Sequence, residues 1–227
     1  MNPNTFIREL ASVELPEVFN PYADTCNTYD KSNAASLRRK NLRTYLSALL
    51  IQGVDTIWMG RDLGYRGGRR TGIALTDEYH LLDLERVLPN TIFLRATIGD
   101  AVAERTAAEI WRALRLISKQ PFLWNVFPFH PHESANQLTN RRFTKSELAV
   151  VEEINVRLIH GLGIKRIVSI GQDATFYAKR FGVEVESVRH PSYGGVVDFR
   201  KGIAKLYCLP ENLENSNQEQ TCLFSKK

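Results

Sequence analysis

Three short segments carry side chains able to do chemistry. The first is the glycine-rich stretch from Gly60 to Gly72, which sets one carboxylate, Asp62, among Arg61, Arg66, Arg69 and Arg70. Gly60, Gly64, Gly67, Gly68 and Gly72 let backbone come close to a ligand or adopt positive φ. The stretch matches neither the Gly-x-Gly-x-x-Gly dinucleotide pattern nor the phosphate loop that ends in Lys-Ser/Thr. Residue types alone favour a plain role for Asp62, as a salt-bridge or capping residue of a solvated basic loop. The second segment is Leu123-Trp124-Asn125-Val126-Phe127. An amide set among such apolar neighbours must satisfy its donors and its acceptor, either internally or by reading the edge of a base such as uracil. The third is Arg189-His190-Pro191-Ser192, followed by Gly194 and Gly195. Pro191 fixes the chain and disfavours helix at His190. The glycines then open a helix, a natural phosphate-binding end.

A fourth cluster, His130-Pro131-His132-Glu133, has the His-x-His spacing of a zinc site. No second ligand group accompanies it, and its prolines and aromatics suit a rigid corner, so no metal is expected.

The elements that position these residues alternate. Residues 34–53 read as an amphipathic helix with Leu42, Tyr45, Leu46 and Leu49 on one face, stopped by Gly53. Residues 54–60 are a short apolar run of the length and composition of a buried parallel strand. A long irregular loop follows. Residues 103–120 read as a helix, 122–129 as a second strand and 144–163 as a helix. Thr144 is the expected N-cap there, with Glu147 three residues on. Residues 166–172 form a third strand, 173–182 a helix, 183–191 a fourth strand, and 192–207 a glycine-led helix. The first thirty or so residues show little periodicity. The pattern predicts an α/β fold, a three-layer α/β/α sandwich around a central four-stranded parallel sheet. Ligands of such sheets bind outside the carboxyl ends of the strands. That rule selects the loops at Gly60, Asn125 and His190.

The chain has 227 residues, is 43% hydrophobic and carries a net charge of +5. This suits one domain, taken as residues 1–210, and a polar tail, 211–227, expected to be poorly ordered. A modest basic excess fits a polyanionic partner without requiring one. Cys26, Cys208 and Cys222 are scattered, which suits a reducing cytoplasm and not a disulfide framework. It also argues against an iron–sulfur cluster. No basic-then-apolar leader opens the chain, and no apolar run approaches the roughly 20 residues of a membrane helix. No membrane partner is therefore expected.

Taken in order, these segments resemble the uracil-DNA glycosylase superfamily, over about residues 41–207. The likeness is strongest to a bacterial branch with motifs like those at Gly64–Gly67, Thr71–Glu78, Trp124–His132, Leu138–Arg141 and Arg189–Gly195. The resemblance implies a cytoplasmic, nucleoid-associated, monomeric and monofunctional DNA glycosylase that needs no cofactor. It implies that Asp62 positions the attacking water and stabilises positive charge on the sugar. It implies that His190 donates to O2 of the departing base and that Asn125 reads the base. Pro191 and Ser192 fall in the phosphate-gripping segment, and Arg66, Arg69, Arg70 and Arg189 are the expected phosphate-binding arginines. Such a reaction is physically sensible: a carboxylate and a donor stabilise the two charges created when the bond breaks. The base must first leave the stack.

The sequence departs from that pattern at several points. Leu63 replaces a usual proline, and Arg61 stands where some branches carry glutamate or glutamine. Gly64 replaces a tyrosine that abuts C5 of uracil, and Leu75 replaces the stacking aromatic; Tyr65 is a candidate to supply that stacking. The implied pocket is open at C5. Its substrate is then uracil or a C5-modified pyrimidine, such as a glucosylated hydroxymethylcytosine of phage DNA, with a role in antiviral defence or in repair. Two other readings stay open: a non-catalytic nucleic-acid-binding module, and a doubly wound enzyme acting on a small phosphate ligand.

Overall fold

The structure, a computed structural model, describes residues 1–209. The expected tail of residues 211–227 lies outside the described residues. The chain opens with helix α1 (Pro3–Ala11), strand β1 (Val18–Phe19), helix α2 (Ala34–Gln52) and strand β2 (Thr56–Asp62). Short helices α3 (Gly68–Thr71) and α4 (Leu81–Val87) lead to α5 (Arg105–Leu114), β3 (Phe122–Phe127) and β4 (His130–Pro131). Helix α6 (Lys145–Leu162), β5 (Arg166–Ile170), α7 (Gln172–Ala178), β6 (Glu184–Val188) and α8 (Val196–Tyr207) complete the described part.

The central sheet has the order β3-β2-β5-β6 and is parallel throughout. Strands β2, β3 and β5 are largely buried on both faces, which explains their nearly unbroken apolar sequence, whereas the edge strand β6 reads Glu-Val-Glu-Ser-Val and is largely open. Alternation along the strands sorts the two faces. Phe122 and Trp124 point to one side, where Tyr45 of α2 stacks on Phe122 at 5.1 Å and Phe6 of α1 meets Trp124. Asn155 of α6 closes that side, accepting from the Trp124 indole and donating to the Val126 carbonyl. Trp58 points to the other side, against Phe199 and Tyr207 of α8. The three-layer α/β/α sandwich follows directly.

Several elements differ from the sequence expectation. Helix α1 lies in a stretch without evident periodicity. Asn2 caps it, accepting from the Asn4 and Thr5 amides, and Pro3 takes the first helical position. Strands β1 and β4 pair antiparallel, Phe19 opposite His130, so the rigid corner around the histidines is a small ribbon. Helix α5 ends well before Gln120, because the Gln120 amide donates to the Leu114 and Ile117 carbonyls and closes the last turn. The capping box of α6 forms as expected: Thr144 accepts from the Glu147 amide, and Glu147 accepts from the Thr144 amide at 2.7 Å.

Two arginines expected to bind DNA phosphates are interior instead. Arg69 is fully buried, its guanidinium 3.8 Å from the centre of the Phe19 ring and bonded to His130 and the Gln137 carbonyl. Arg70 lies over Tyr29 and pairs with the buried Glu78 at 2.8 Å. Guanidinium groups engaged in this way hold the loop together and cannot reach a solvent-borne phosphate. Glu78 also accepts from the Val102 amide and the Thr97 hydroxyl. Removing it strands a buried cation, so Glu78→Ala should cost about 3–5 kcal/mol, read as a lowered urea midpoint.

Among the described residues, no helix is long and apolar enough to cross a membrane.

Candidate active site

A cleft of about 580 Å³ opens at the carboxyl edge of the sheet, within the range of ligand-binding pockets. It brings together Asp62, Asn125 and His190, which lie on three different strands or strand ends. The sheet register explains the convergence. Gly60 pairs with Asn125, and Asp62, the last residue of β2, pairs with Phe127. Strand β2 thus runs on to Asp62 and holds its backbone rigidly at the rim.

The Asp62 carboxyl is nearly buried and bonds the Arg61 Nε at 2.6 Å. Burial pushes its pKa above the ordinary carboxylate range, and the Arg61 charge opposes that push. Arg61 reaches onward to Asp173 on α7, at 3.1 Å, and Arg142 meets the same carboxylate at 3.2 Å. Removing the Arg61 charge lets the Asp62 pKa rise further. It also removes a charge that holds down the pKa of His190. Activity that needs ionised Asp62 and neutral His190 then loses its acid limb at higher pH. We expect Arg61→Ala to shift that limb upward in a pH–rate profile; an unmoved limb would show that Arg61 does not tune the pair.

His190 has a fixed tautomer. The Ser192 backbone N–H donates to Nδ1 at 3.1 Å, and the Ser192 hydroxyl sits 2.7 Å from the same nitrogen. Nδ1 is therefore the acceptor, and the proton resides on Nε2. Burial, with Arg61 and Arg189, lowers the pKa, so the ring is a neutral donor near neutral pH. Gly171 fits closely beside it: a Cβ there would lie 3.0 Å from the His190 Cβ. Ser192, expected above to grip phosphate, is turned toward the imidazole, its amide and hydroxyl both lying on Nδ1. Pro191 is buried and has no donor to offer a phosphate. Arg189 is exposed on the cleft rim, and Arg66 is exposed nearby.

Asn125 is 1% exposed, and its side-chain oxygen has no hydrogen-bond partner among the described residues. A buried acceptor left open costs free energy unless a ligand fills it. Gly60 is required beside it, since a Cβ there would stand 2.5 Å from that oxygen. Leu75 lines the cleft in a left-handed conformation, φ +56°, which a branched side chain rarely adopts. Backbone strain of this kind clusters at binding sites. Tyr65 does not line the cleft: its ring leans on His130, 6.4 Å between centres, and its amide donates to Asn140. Tyr65, the candidate above for stacking on the base, thus rests on the β1–β4 ribbon.

His130 uses both ring nitrogens internally, on Arg69 and on the Thr139 carbonyl, and burial lowers its pKa to about 3. Among the described residues, no group of three or more His, Cys, Asp or Glu side chains is placed to hold a metal.

The sequence reading missed Glu104, Arg142, Asp173 and Tyr193, all of which line the cleft. Tyr193 is 97% exposed with φ +50°, an aromatic ring projecting at the rim. Its place next to Ser192 was the available signal. For Glu104 there was none, because 42 residues separate it from Asp62.

No protein-family model matches the chain, and no curated protein matches it. In three dimensions it is similar to wild-type SMUG2 of Pedobacter heparinus. The TM-score is 0.61 at 17% identity, over 91% of this chain and 95% of that one. The fold is uracil-DNA glycosylase-like. The four-stranded parallel sheet flanked by helices is the shared architecture.

Proposed function

We propose that this protein is a monofunctional DNA glycosylase, cutting the N-glycosidic bond of a flipped-out pyrimidine with Asp62 and His190. The observation that carries this reading is the pairing of a buried carboxylate with an imidazole whose proton is held on Nε2, in one cleft. Bond breaking makes an oxocarbenium-like sugar and an anionic base. Asp62 stabilises the first and orients the attacking water; the His190 Nε2–H stabilises the second. The open Asn125 oxygen accepts from an N–H on the base edge. Support for the chemistry also comes from the fold shared with SMUG2, a glycosylase of the uracil-DNA glycosylase superfamily.

Arg189, Arg66 and Arg142 take the DNA backbone on the exposed rim. Tyr193, beside them, contacts the duplex next to the extruded nucleotide. Leu75 is aliphatic, and no aromatic ring stands at Gly64, where the wall is polar because the Glu104 carboxyl lies against that glycine; the favoured substrates are therefore C5-modified pyrimidines, with uracil the simplest alternative. Excision of a hypermodified phage base would make this a defence enzyme.

The test uses duplexes identical except for one base: uracil, 5-hydroxymethylcytosine or its glucosylated form. Alkali after incubation reveals abasic sites as strand breaks. Breaks at one or more of these bases support the reading. DNA binding that weakens with salt but yields no break on any duplex makes the protein a binding module.

A further inference from the structure

The space over Gly64 is not empty. A Cβ on Gly64 would stand 2.9 Å from one Glu104 carboxyl oxygen, and a Cβ on Gly67 would collide with the other. Two glycines of the loop after β2 thus make room for one carboxyl group. Glu104 lies just before α5, where its backbone N–H donates to the buried Asp77 carboxylate at 2.7 Å. This bond fixes the main chain and leaves the side chain directed at the two glycines. The carboxyl caps no helix and makes no hydrogen bond to another described residue. A carboxyl group that lines the cleft without a hydrogen-bond partner among the described residues is free to bond a ligand there.

We propose, resting on the glycosylase reading above, that Glu104 is the specificity-determining residue of the cleft and hydrogen-bonds a hydroxyl group on the C5 substituent of the flipped pyrimidine. A tyrosine ring at Gly64 would exclude such a substituent by bulk. A carboxyl group selects for it by chemistry instead, because it can both donate to and accept from a hydroxyl. Burial and the neighbouring Asp77 push its pKa up to about 7, against the pull of Arg66, and Asp62 adds to the push. Both forms are therefore populated at neutral pH. A substrate without the hydroxyl leaves the carboxyl desolvated and unpaired, which penalises plain bases; sites built to bond a substrate hydroxyl discriminate in this way.

The experiment compares the parent protein, Glu104→Gln and Glu104→Leu on duplexes bearing 5-hydroxymethylcytosine, its glucosylated form or uracil. A duplex carrying a preformed abasic site reports the grip on DNA alone. For Glu104→Leu, kcat/KM on the hydroxylated bases should fall more than tenfold, and the Kd for the abasic duplex should move less than twofold. Glu104→Gln, which keeps shape and one donor and one acceptor, should fall in between. Release of hydroxylated bases by Glu104→Leu within threefold of the parent overturns the proposal, as does a parallel loss of abasic-duplex affinity. Release of uracil alone by the parent overturns it while leaving the glycosylase reading intact. No abasic site on any duplex overturns both.

Discussion

Asp62→Asn should slow base release on the order of 10³-fold under single-turnover conditions, with the protein still folded. The magnitude is that of losing one preorganised electrostatic or acid–base group at a reacting centre, about 10²–10⁴. Asparagine keeps the shape and an oxygen to accept from the Arg61 Nε, so the chain Arg61–Asp173–Arg142 persists. What disappears is the negative charge that the proposed reaction sets against the sugar. Because burial disfavours that charge, its removal relieves a cost in the folded state, and the unfolding midpoint should not fall. Lost activity with a retained midpoint separates chemistry from folding. A rate within threefold of the parent would remove Asp62 from the reaction.

His190→Ala should slow release on the order of 10²–10³-fold, the usual effect of deleting one donor to a developing anion. The imidazole acts as a neutral donor, so the loss should persist across neutral and alkaline pH. Its effect should also track the leaving group. Bases that leave as more stable anions depend less on a donor, and for these the penalty should shrink. A penalty independent of base acidity would mean that His190 shapes the cleft and does not stabilise the departing base. The variant also frees the two Ser192 donors now held by Nδ1, and a modest change in DNA affinity is expected from that release.

The parallel sheet was legible because buried parallel strands are short apolar runs separated by helical periods. The capping box at Thr144 and Glu147 was legible because its residues are local. Helix α1 escaped notice although Asn2 followed by Pro3 is a helix start, since only Phe6, Ile7 and Leu10 of its residues are buried. Asp62, Asn125 and His190 could be placed in one cleft because a parallel sheet puts its carboxyl ends on one edge. The arginines could not be sorted in the same way. Arg66, exposed, and Arg69, buried, are alike in sequence, and the groups that bury Arg69 are Phe19, His130 and Gln137, all far along the chain. The contact of the Ser192 hydroxyl with Nδ1 of His190 has no signature in the sequence beyond their spacing of two residues. The absence of a side chain at Gly64 suggested an open wall; Glu104 fills it from a distant segment.

The measurement that tests the central claim most directly is product analysis by mass spectrometry. The protein is incubated with the duplex from which it releases base fastest, and both products are weighed before and after borohydride reduction. A hydrolytic glycosylase gives the intact free base and a full-length abasic strand whose mass is that of the substrate strand, less the free base, plus one water; borohydride reduces that site without trapping the protein on it. The Asp62→Asn variant gives neither product at a comparable rate. A base that stays attached to its sugar, or a strand trapped covalently on the protein by borohydride, would contradict the account.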